Sequence, residues 1–492
     1  MTKRILKLLG GLSGLLIILV GIIYFRTTQI KPPTTGQNKS AELPITVDAN
    51  SVASHLAQAV RFKTVTQQNR ADTDWEVFLQ FQDWLKQTYP AFYNTVNSEQ
   101  IDSYAQLNIW TGSDLSLDPI VFLAHQDVVP ASETDEGWDY PPFSGEIADG
   151  FVYGRGSIDD KGSLIALLEA ADRLANSGFK PKRTLIFAFG HDEEVAGSGA
   201  NAIAHILKDR NIKPYAVIDE GGAITTGMSD VKGPVARIGV AEKGYLTLVL
   251  TAKAEGGHSS TPPDYTAIGA LAKAIAAVEA HPFKSGMDDV TIGMLKATAS
   301  EQNFMGRMAI ANLWLFKGQV EKTMRKSAVG SAMLGTTIAP TIIEGGFKEN
   351  ALPREAKAYI NFRLHSRDSI ESVVEHVKSA INDERIDISY SKNISAEPSP
   401  VSQIGTGPWL WIEKAINRGF PGTLIAPNTV LGGTDSRFFA LVTDEIYRFA
   451  PYVFDATDIR RIHGLNERMN IEAFAKAVAV YYILLESAGN PQ

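Results

Sequence analysis

The chain has 492 residues with 47 Lys+Arg against 55 Asp+Glu, a net charge of −8; that length predicts two domains plus appendages, and that balance excludes the basic face of a nucleic-acid binder. A hydrophobic content of 44% with 21% charged residues excludes wholesale disorder. Cysteine is absent, which excludes disulfides, thiol nucleophiles, iron–sulfur clusters and cysteine-held zinc, so any metal must sit on histidines and carboxylates.

Residues 8–25, LLGGLSGLLIILVGIIYF, form an uncharged run preceded by Lys3, Arg4 and Lys7. A helix of that length spans roughly 27 Å, enough for a hydrocarbon core. A cleaved signal usually has a shorter apolar region and a small-residue cleavage site; the Tyr-Phe-Arg-Thr-Thr that follows here offers none. The reading is therefore a retained membrane anchor over residues 1–26, with a cleaved signal as its competitor. Residues 27–44 are polar, carry three prolines and read as a linker. Cations flank the run on both sides, so orientation rests on the usual N-in arrangement, which puts the large domain outside the cytoplasm.

From residue 45 onward, short apolar strands alternate with amphipathic helices, which predicts an α/β fold. VASHLAQAVRF, WEVFLQFQDWLKQTY and SLIALLEAADRLANSG read as helices, the last stopped by Gly178. PIVFLAH, TLIFAFG and YAVIDE read as buried strands of a parallel type. A second block, residues 244–396, reads β-α-β-β-α-β with a long interruption over residues 285–340. The first style returns over 397–492 and ends in the helix AFAKAVAVYYILLES. The expected organisation is thus a catalytic domain in two parts, 45–243 and 397–492, with an α+β domain inserted between them.

Polar clusters sit at strand ends, where open α/β sheets build sites. In HQD, His125 and Asp127 lie two apart on one side of an extended chain, which suits an imidazole ligand and a carboxylate that orients it; a solvated strand end reads the same way. Asp159 and Asp160 precede a helix and are equally an N-cap pair. Glu193 and Glu194 follow a strand: adjacent carboxylates diverge, so one could bind metal while the other faces water as a base, or both could be exposed acids in a turn. Asp219 ends another apolar run, and His463 in RIHGLNER is a distant imidazole. Each has an ordinary structural reading alone. Together, two histidines and three carboxylates are what a two-zinc hydrolase needs without cysteine. The chain has no GxSxG, GxxxxGK[ST] or HExxH, leaving serine-hydrolase, P-loop and thermolysin-type chemistry without support.

HQDVVP, GRGSIDDKG, HDEEVAGSG, DEGG, GGHSSTPP, ENALPREAKAYINFR, GGTDSR and RIHGLNE occur in one order and span almost everything after residue 45. In this the chain resembles the M20 family of metallopeptidases, in the branch of carboxypeptidase S and the relatives that hydrolyse N-acyl amino acids. The resemblance implies a two-zinc exopeptidase-type catalytic domain with an inserted lid domain. It implies two zinc ions per subunit: His125 and Asp219 on one, Glu194 and His463 on the other, and Asp159 bridging, with a cis peptide at Asp159–Asp160. It further implies Glu193 as general base, Asp127 as the orienter of His125, and His258 as a lid histidine that in dimeric members reaches the neighbouring subunit's site to stabilise the oxyanion. A homodimer through the lid follows from the same likeness. Asn350 and Arg363 match lid residues near substrate, Arg363 as a clamp for a free α-carboxylate, although a turn cap and a surface ion pair are their ordinary readings. GGTDSR would shape the floor of the site, with no particular role for Asp435 and Ser436. The expected activity is hydrolysis of an amide whose leaving amine carries a carboxylate: a carboxypeptidase on short peptides or, alternatively, an N-acyl-amino-acid amidohydrolase. An inactive binding protein is the remote third reading. The interruption, with Met294, Met305, Met308, Met324 and Met333, reads as an adaptable apolar wall for an acyl chain, or as extra lid core or a dimer-packing helix pair.

Overall fold

A computed structural model describes residues 2–31, 43–132, 137–227, 231, 233–390 and 395–490; most of the expected linker lies outside them. The N-terminal helix runs Thr2–Gln29, and within it Leu9–Gln29 is long and apolar enough to cross a membrane. A signal sequence passes the same test, and the helix itself gives no orientation.

Ten strands of the described chain form one mixed sheet. Its centre is parallel: Ile120–His125 lies between Leu185–Gly190 and Ala216–Asp219, and Ile446–Arg448 extends it. These strands are buried throughout because helices cover both faces. One face carries Ala49–Val60, Lys161–Asn176, Gly407–Gly419 and Ile471–Gly489 over the larger core, and the other carries Ser198–Asp209. The last helix starts at Asn470, whose side chain accepts the Ala473 N–H at 2.9 Å. Its Phe474, Val478 and Leu485 are fully buried, each stabilising by roughly 1.5–3 kcal/mol relative to exposure. The expected parallel sheet gains an antiparallel margin: Asn97–Ile101 and Ala105–Trp110 form a hairpin that joins Leu185–Gly190 antiparallel. A hairpin needs only a tight turn, which left-handed Asp102 and Ser103 supply.

The second block makes its own antiparallel sheet, ordered Thr337–Gly345, Glu355–Leu364, Gly244–Lys253 and Ile386–Tyr390. Burial alternates along Gly244–Lys253 and Glu355–Leu364. The inward residues, among them Leu248, Ile360 and Phe362, pack under the helices Ala267–Ala280 and Ile370–Ile381 in a core separate from the large one. The chain enters and leaves this unit side by side: Tyr245 and Ala396 exchange backbone hydrogen bonds at 2.8 Å each way.

The interruption is helical. Asp289–Thr298 and Ala328–Leu334 place Met294 and Met333 in a small core with Val235 and Ala426, so these methionines are packing residues between the insert and the large domain. Between them run Phe304–Ala311, which buries Ile310, and Leu313–Met324, which has no fully buried residue.

Candidate metal centre

The carboxyl ends of three central strands, joined by the loops that carry Asp159 and His463, bring the acids together. His125 ends its strand and is 2% exposed. Its Nδ1 lies 3.0 Å from the Asp127 carbonyl oxygen and 3.2 Å from Asp127 Oδ1, while its Nε2 faces Asp159 Oδ1 at 3.0 Å and Glu220 Oε1 at 3.4 Å. The other oxygen of Asp159 faces His463 Nε2 at 3.1 Å, and His463 Nε2 also lies 3.2 Å from Glu194 Oε2. One carboxylate therefore stands between two imidazoles, each addressed by a different oxygen. The peptide between Asp159 and Asp160 is cis.

Asp127 is fully buried and does more than orient His125. It accepts the Thr66 hydroxyl at 2.7 Å and the backbone N–H groups of Glu193 and Glu194 at 3.1 and 3.2 Å. The turn that carries both glutamates is thus fixed to the strand that carries His125. Glu193 is nearly buried, and its Oε1 lies 3.7 Å from the Arg437 guanidinium.

The position beside His125 differs from one expectation. Asp219 lies near the cluster with its Oδ2 accepting the Ser436 N–H at 2.8 Å, and it is in neither group of ligand atoms found among the described residues. Successive residues at a strand end point to opposite sides, and here it is Glu220 that reaches His125. Among the described residues, two sets of ligand atoms lie within 4.8 Å of one another, His125/Asp159/Glu194 and His125/Asp160/Glu220. In the second, Asp160 Oδ2 is occupied by the His125 backbone N–H at 3.3 Å, which leaves Asp159 the better-placed aspartate.

The electrostatics of this cluster are lopsided. Burial pushes the carboxyls of Glu193, Asp160, Glu220 and Asp435 well above their ordinary range, with neighbouring acids adding to the rise. His463 is pushed up to about 10 by Asp159 and Glu194. Burial opposes ionisation of Asp159 too, yet the two imidazoles hold it well below the usual carboxylate value. Glu194 Oε1 and Asp160 Oδ1 are buried without a hydrogen-bond partner. Two imidazoles cannot offset so many buried acids, and an orphaned carboxylate oxygen costs several kcal/mol, roughly, unless a cation meets it. Two His and three carboxylates, with oxygen and nitrogen donors only, fit a hard or borderline divalent metal pair.

Sequence reasoning missed the supports of this centre. Glu467, fully buried four residues after His463, accepts the N–H groups of Gly156, Ile158 and Asp159 at 3.0, 2.9 and 3.2 Å. It also pairs with Arg155, which donates to the His463 and Gly464 carbonyls. Glu242 likewise accepts the N–H and hydroxyl of Thr434 and pairs with buried Arg448 at 2.9 Å. Glu242 and Arg448, charges inside apolar runs, carried the available signal; Glu467 and Arg155 carried none. Asp435 packs so close to the strand carrying Leu185–Gly190 that a Cβ on Gly190 would sit 2.2 Å from its Oδ2; only glycine leaves that room.

The lid residues divide. Arg363 lies over the Tyr245 ring at 4.7 Å, near enough to Glu242, Arg437 and Glu193 to feel their charges. His258 sits exposed on a two-residue ribbon paired with Ala351–Leu352, and its Nδ1 accepts from Ser260. Asn350 is exposed beside it, its carbonyl accepting the Ser259 N–H. Among the described residues no contact joins either to the metal cluster.

Residues 121–487 match the sequence profile of peptidase family M20/M25/M40. The chain belongs to this family. It is a metallopeptidase-type hydrolase of amide bonds, and its curated relatives come from the branch that the motifs resemble. It is 36% identical over 442 residues to a probable carboxypeptidase S-like 2 of Dictyostelium discoideum, covering 89% of this chain and 85% of the relative. It is 35% identical over 448 residues to the human N-fatty-acyl-amino acid synthase/hydrolase PM20D1, covering 89% and 88%. Among solved structures, the M20 family metallo-carboxypeptidase Sso-CP2 from Sulfolobus solfataricus superposes with a TM-score of 0.66 at 16% identity, over 89% of this chain and 99% of that one; this likeness concerns the fold.

Proposed function

We propose that this M20 hydrolase is a two-zinc enzyme that cleaves an amide whose leaving amine carries a free carboxylate. The observation that carries the reading is Asp159 standing between His125 and His463, an oxygen toward each. One zinc ion would be held by His125, Asp159 and Glu220, the other by His463, Asp159 and Glu194. When bound, zinc supplies the Lewis acidity that polarises a carbonyl and makes water a nucleophile near neutral pH. Glu193 takes the proton of the attacking water and delivers it to the leaving nitrogen. Its burial supports that role, since burial raises the carboxyl and so favours holding the proton before it is returned to the leaving nitrogen. Asp127 holds the base and Glu194 in place through their N–H groups. Arg363 receives the substrate carboxylate by charge-assisted hydrogen bonds. His258, with Asn350 beside it, belongs to a lid spanning 244–396 and serves a second subunit's oxyanion in a lid-mediated homodimer, while residues 45–243 and 397–492 form the catalytic domain. The N-terminal helix holds this body at a membrane, outside the cytoplasm.

The first substrate reading is a carboxypeptidase of short peptides. A fatty-acyl amino acid is the second, favoured by the human relative's name and by the apolar N-terminal helix. A hydrolysis panel of dipeptides and N-acyl amino acids of rising chain length separates them, with Glu193→Gln as the blank. Zinc-dependent turnover lost in Glu193→Gln supports the mechanism. Near-wild-type turnover in that variant would overturn the role of the base, and no turnover of either class would overturn the function.

A further inference from the structure

The N-terminal helix does not simply leave the body of the protein; it docks on the lid insert at one corner. Asn312, fully buried between Phe304–Ala311 and Leu313–Met324, reaches the Ile23 carbonyl at 3.3 Å and the Thr27 hydroxyl at 3.4 Å. Arg26 donates to the Ala311 carbonyl at 3.2 Å, and Thr27 is 2% exposed. This contact is made at the body-proximal end of the apolar segment, beside exposed Tyr24 and Phe25, a pairing of aromatics and a cation that suits the headgroup level of a bilayer.

The face of the insert that meets this helix continues past the contact. Met305, Met308 and Asn312 fall at i, i+3 and i+7 and share one side of Phe304–Ala311. At its open end Phe304 is 47% and Met305 64% exposed, and just beyond Asn312 Trp314 is 56% and Leu315 46% exposed. These four are large apolar side chains grouped on one helix pair, in continuity with a segment built to cross lipid. The same stretch, 304–326, carries Arg307, Lys317, Lys322, Arg325 and Lys326 against the single acid Glu321, in a protein whose net charge is −8. An apolar corner with a local cationic excess is the composition of an element lying in the interface of an anionic membrane.

We propose that the helix pair Phe304–Ala311 and Leu313–Met324 is a membrane-interface element, with Phe304, Met305, Trp314 and Leu315 entering the boundary between headgroups and acyl chains beside the N-terminal helix, and the basic side chains meeting anionic headgroups. The insert is then held at the lipid surface by contacts of its own in addition to the crossing segment. This goes beyond the hydrolytic reading and rests on the N-terminal helix being seated in a bilayer.

The full chain, reconstituted in vesicles of phosphatidylcholine and phosphatidylglycerol, tests it through tryptophan emission with and without lipids brominated near the headgroup. Of the seven tryptophans, Trp314 is the one on the apolar corner. Brominated lipid is expected to remove up to about one-seventh of the emission, and Trp314→Phe to abolish that loss. Met305→Asp with Leu315→Asp, both at exposed positions, should abolish it too while leaving the melting temperature unchanged. Quenching that persists in Trp314→Phe, or is absent in the wild-type chain, overturns the proposal. So does a Trp314 environment that changes only when a dimer dissociates, since the corner would then be covered by a second copy. Hydrolysis of a soluble dipeptide by the same samples reads the catalytic assignment separately.

Discussion

Glu467 Oε1 accepts the backbone N–H of Asp159 at 3.2 Å, so the residue between the two imidazoles is held in place by a carboxylate from the far end of the chain. The same carboxylate carries two more N–H groups and the Arg155 guanidinium. Glu467→Gln should leave Arg155 as a buried cation with an incomplete partner and destabilise the fold by roughly 3 kcal/mol, read by urea unfolding. Arg155→Met with Glu467→Met should recover part of that loss. A single variant as stable as wild type would show that the pair does not hold the loop.

Glu220 and Asp219 offer a direct comparison of neighbours. Glu220→Gln should lower bound metal by about one equivalent in dialysed protein measured by elemental analysis, because the carboxylate facing His125 is lost. Asp219→Asn should keep its metal and cost about 1 kcal/mol through the weakened bond to the Ser436 N–H. Loss of metal in Asp219→Asn with retention in Glu220→Gln would reverse the ligand assignment.

Arg437 lies near the proposed base and partly offsets the rise that burial imposes on Glu193. Removing the cation in Arg437→Met raises the carboxyl further, so protonated, inactive enzyme persists to higher pH. The acid limb of kcat/KM should therefore move upward in pH, with the alkaline limb unchanged. An unshifted acid limb would dissociate Arg437 from the base.

Lys243 stands at the entry to the inserted unit, with Nζ donating to the Ala332 and Gly335 carbonyls at 2.9 and 2.7 Å. Burial lowers it to about 8, with Arg363 adding to the effect. Between pH 8 and the ordinary lysine value the unfolded chain binds the proton more tightly than the folded one, so this group makes stability rise with pH across that window. Lys243→Met should remove the rise. Urea unfolding of both proteins at pH 8 and 10 should show wild type gaining on the variant at the higher pH; equal changes in both would refute the assignment.

Much of this architecture was legible in one sequence. The apolar runs of Ile120–His125 and Leu185–Gly190 announced buried strands, and the polar residues after each announced where a site would be built. The choice between Asp219 and Glu220 was not legible, because it depends on which side of the strand end faces the cavity. A run of four residues does not fix that phase. Glu467 and Arg155 were hidden for a different reason: their meaning lies in a contact across more than three hundred residues, and each looks locally like an ordinary loop charge. The composition of the insert left its packing and surface roles open. Its methionines serve two purposes, Met294 and Met333 as core and Met305 as open surface, a distinction that helical periodicity alone does not draw.

The paired backbones at Tyr245 and Ala396 have a mechanical consequence. Two strands tied side by side make a ribbon, which flexes easily out of its plane and resists sliding within it. The inserted unit also packs on the large domain through Met294 and Met333, so two separate attachments fix its register where one alone would leave a hinge. Arg363, paired with Tyr245 across neighbouring strands, is thereby kept on one line above the ring it covers.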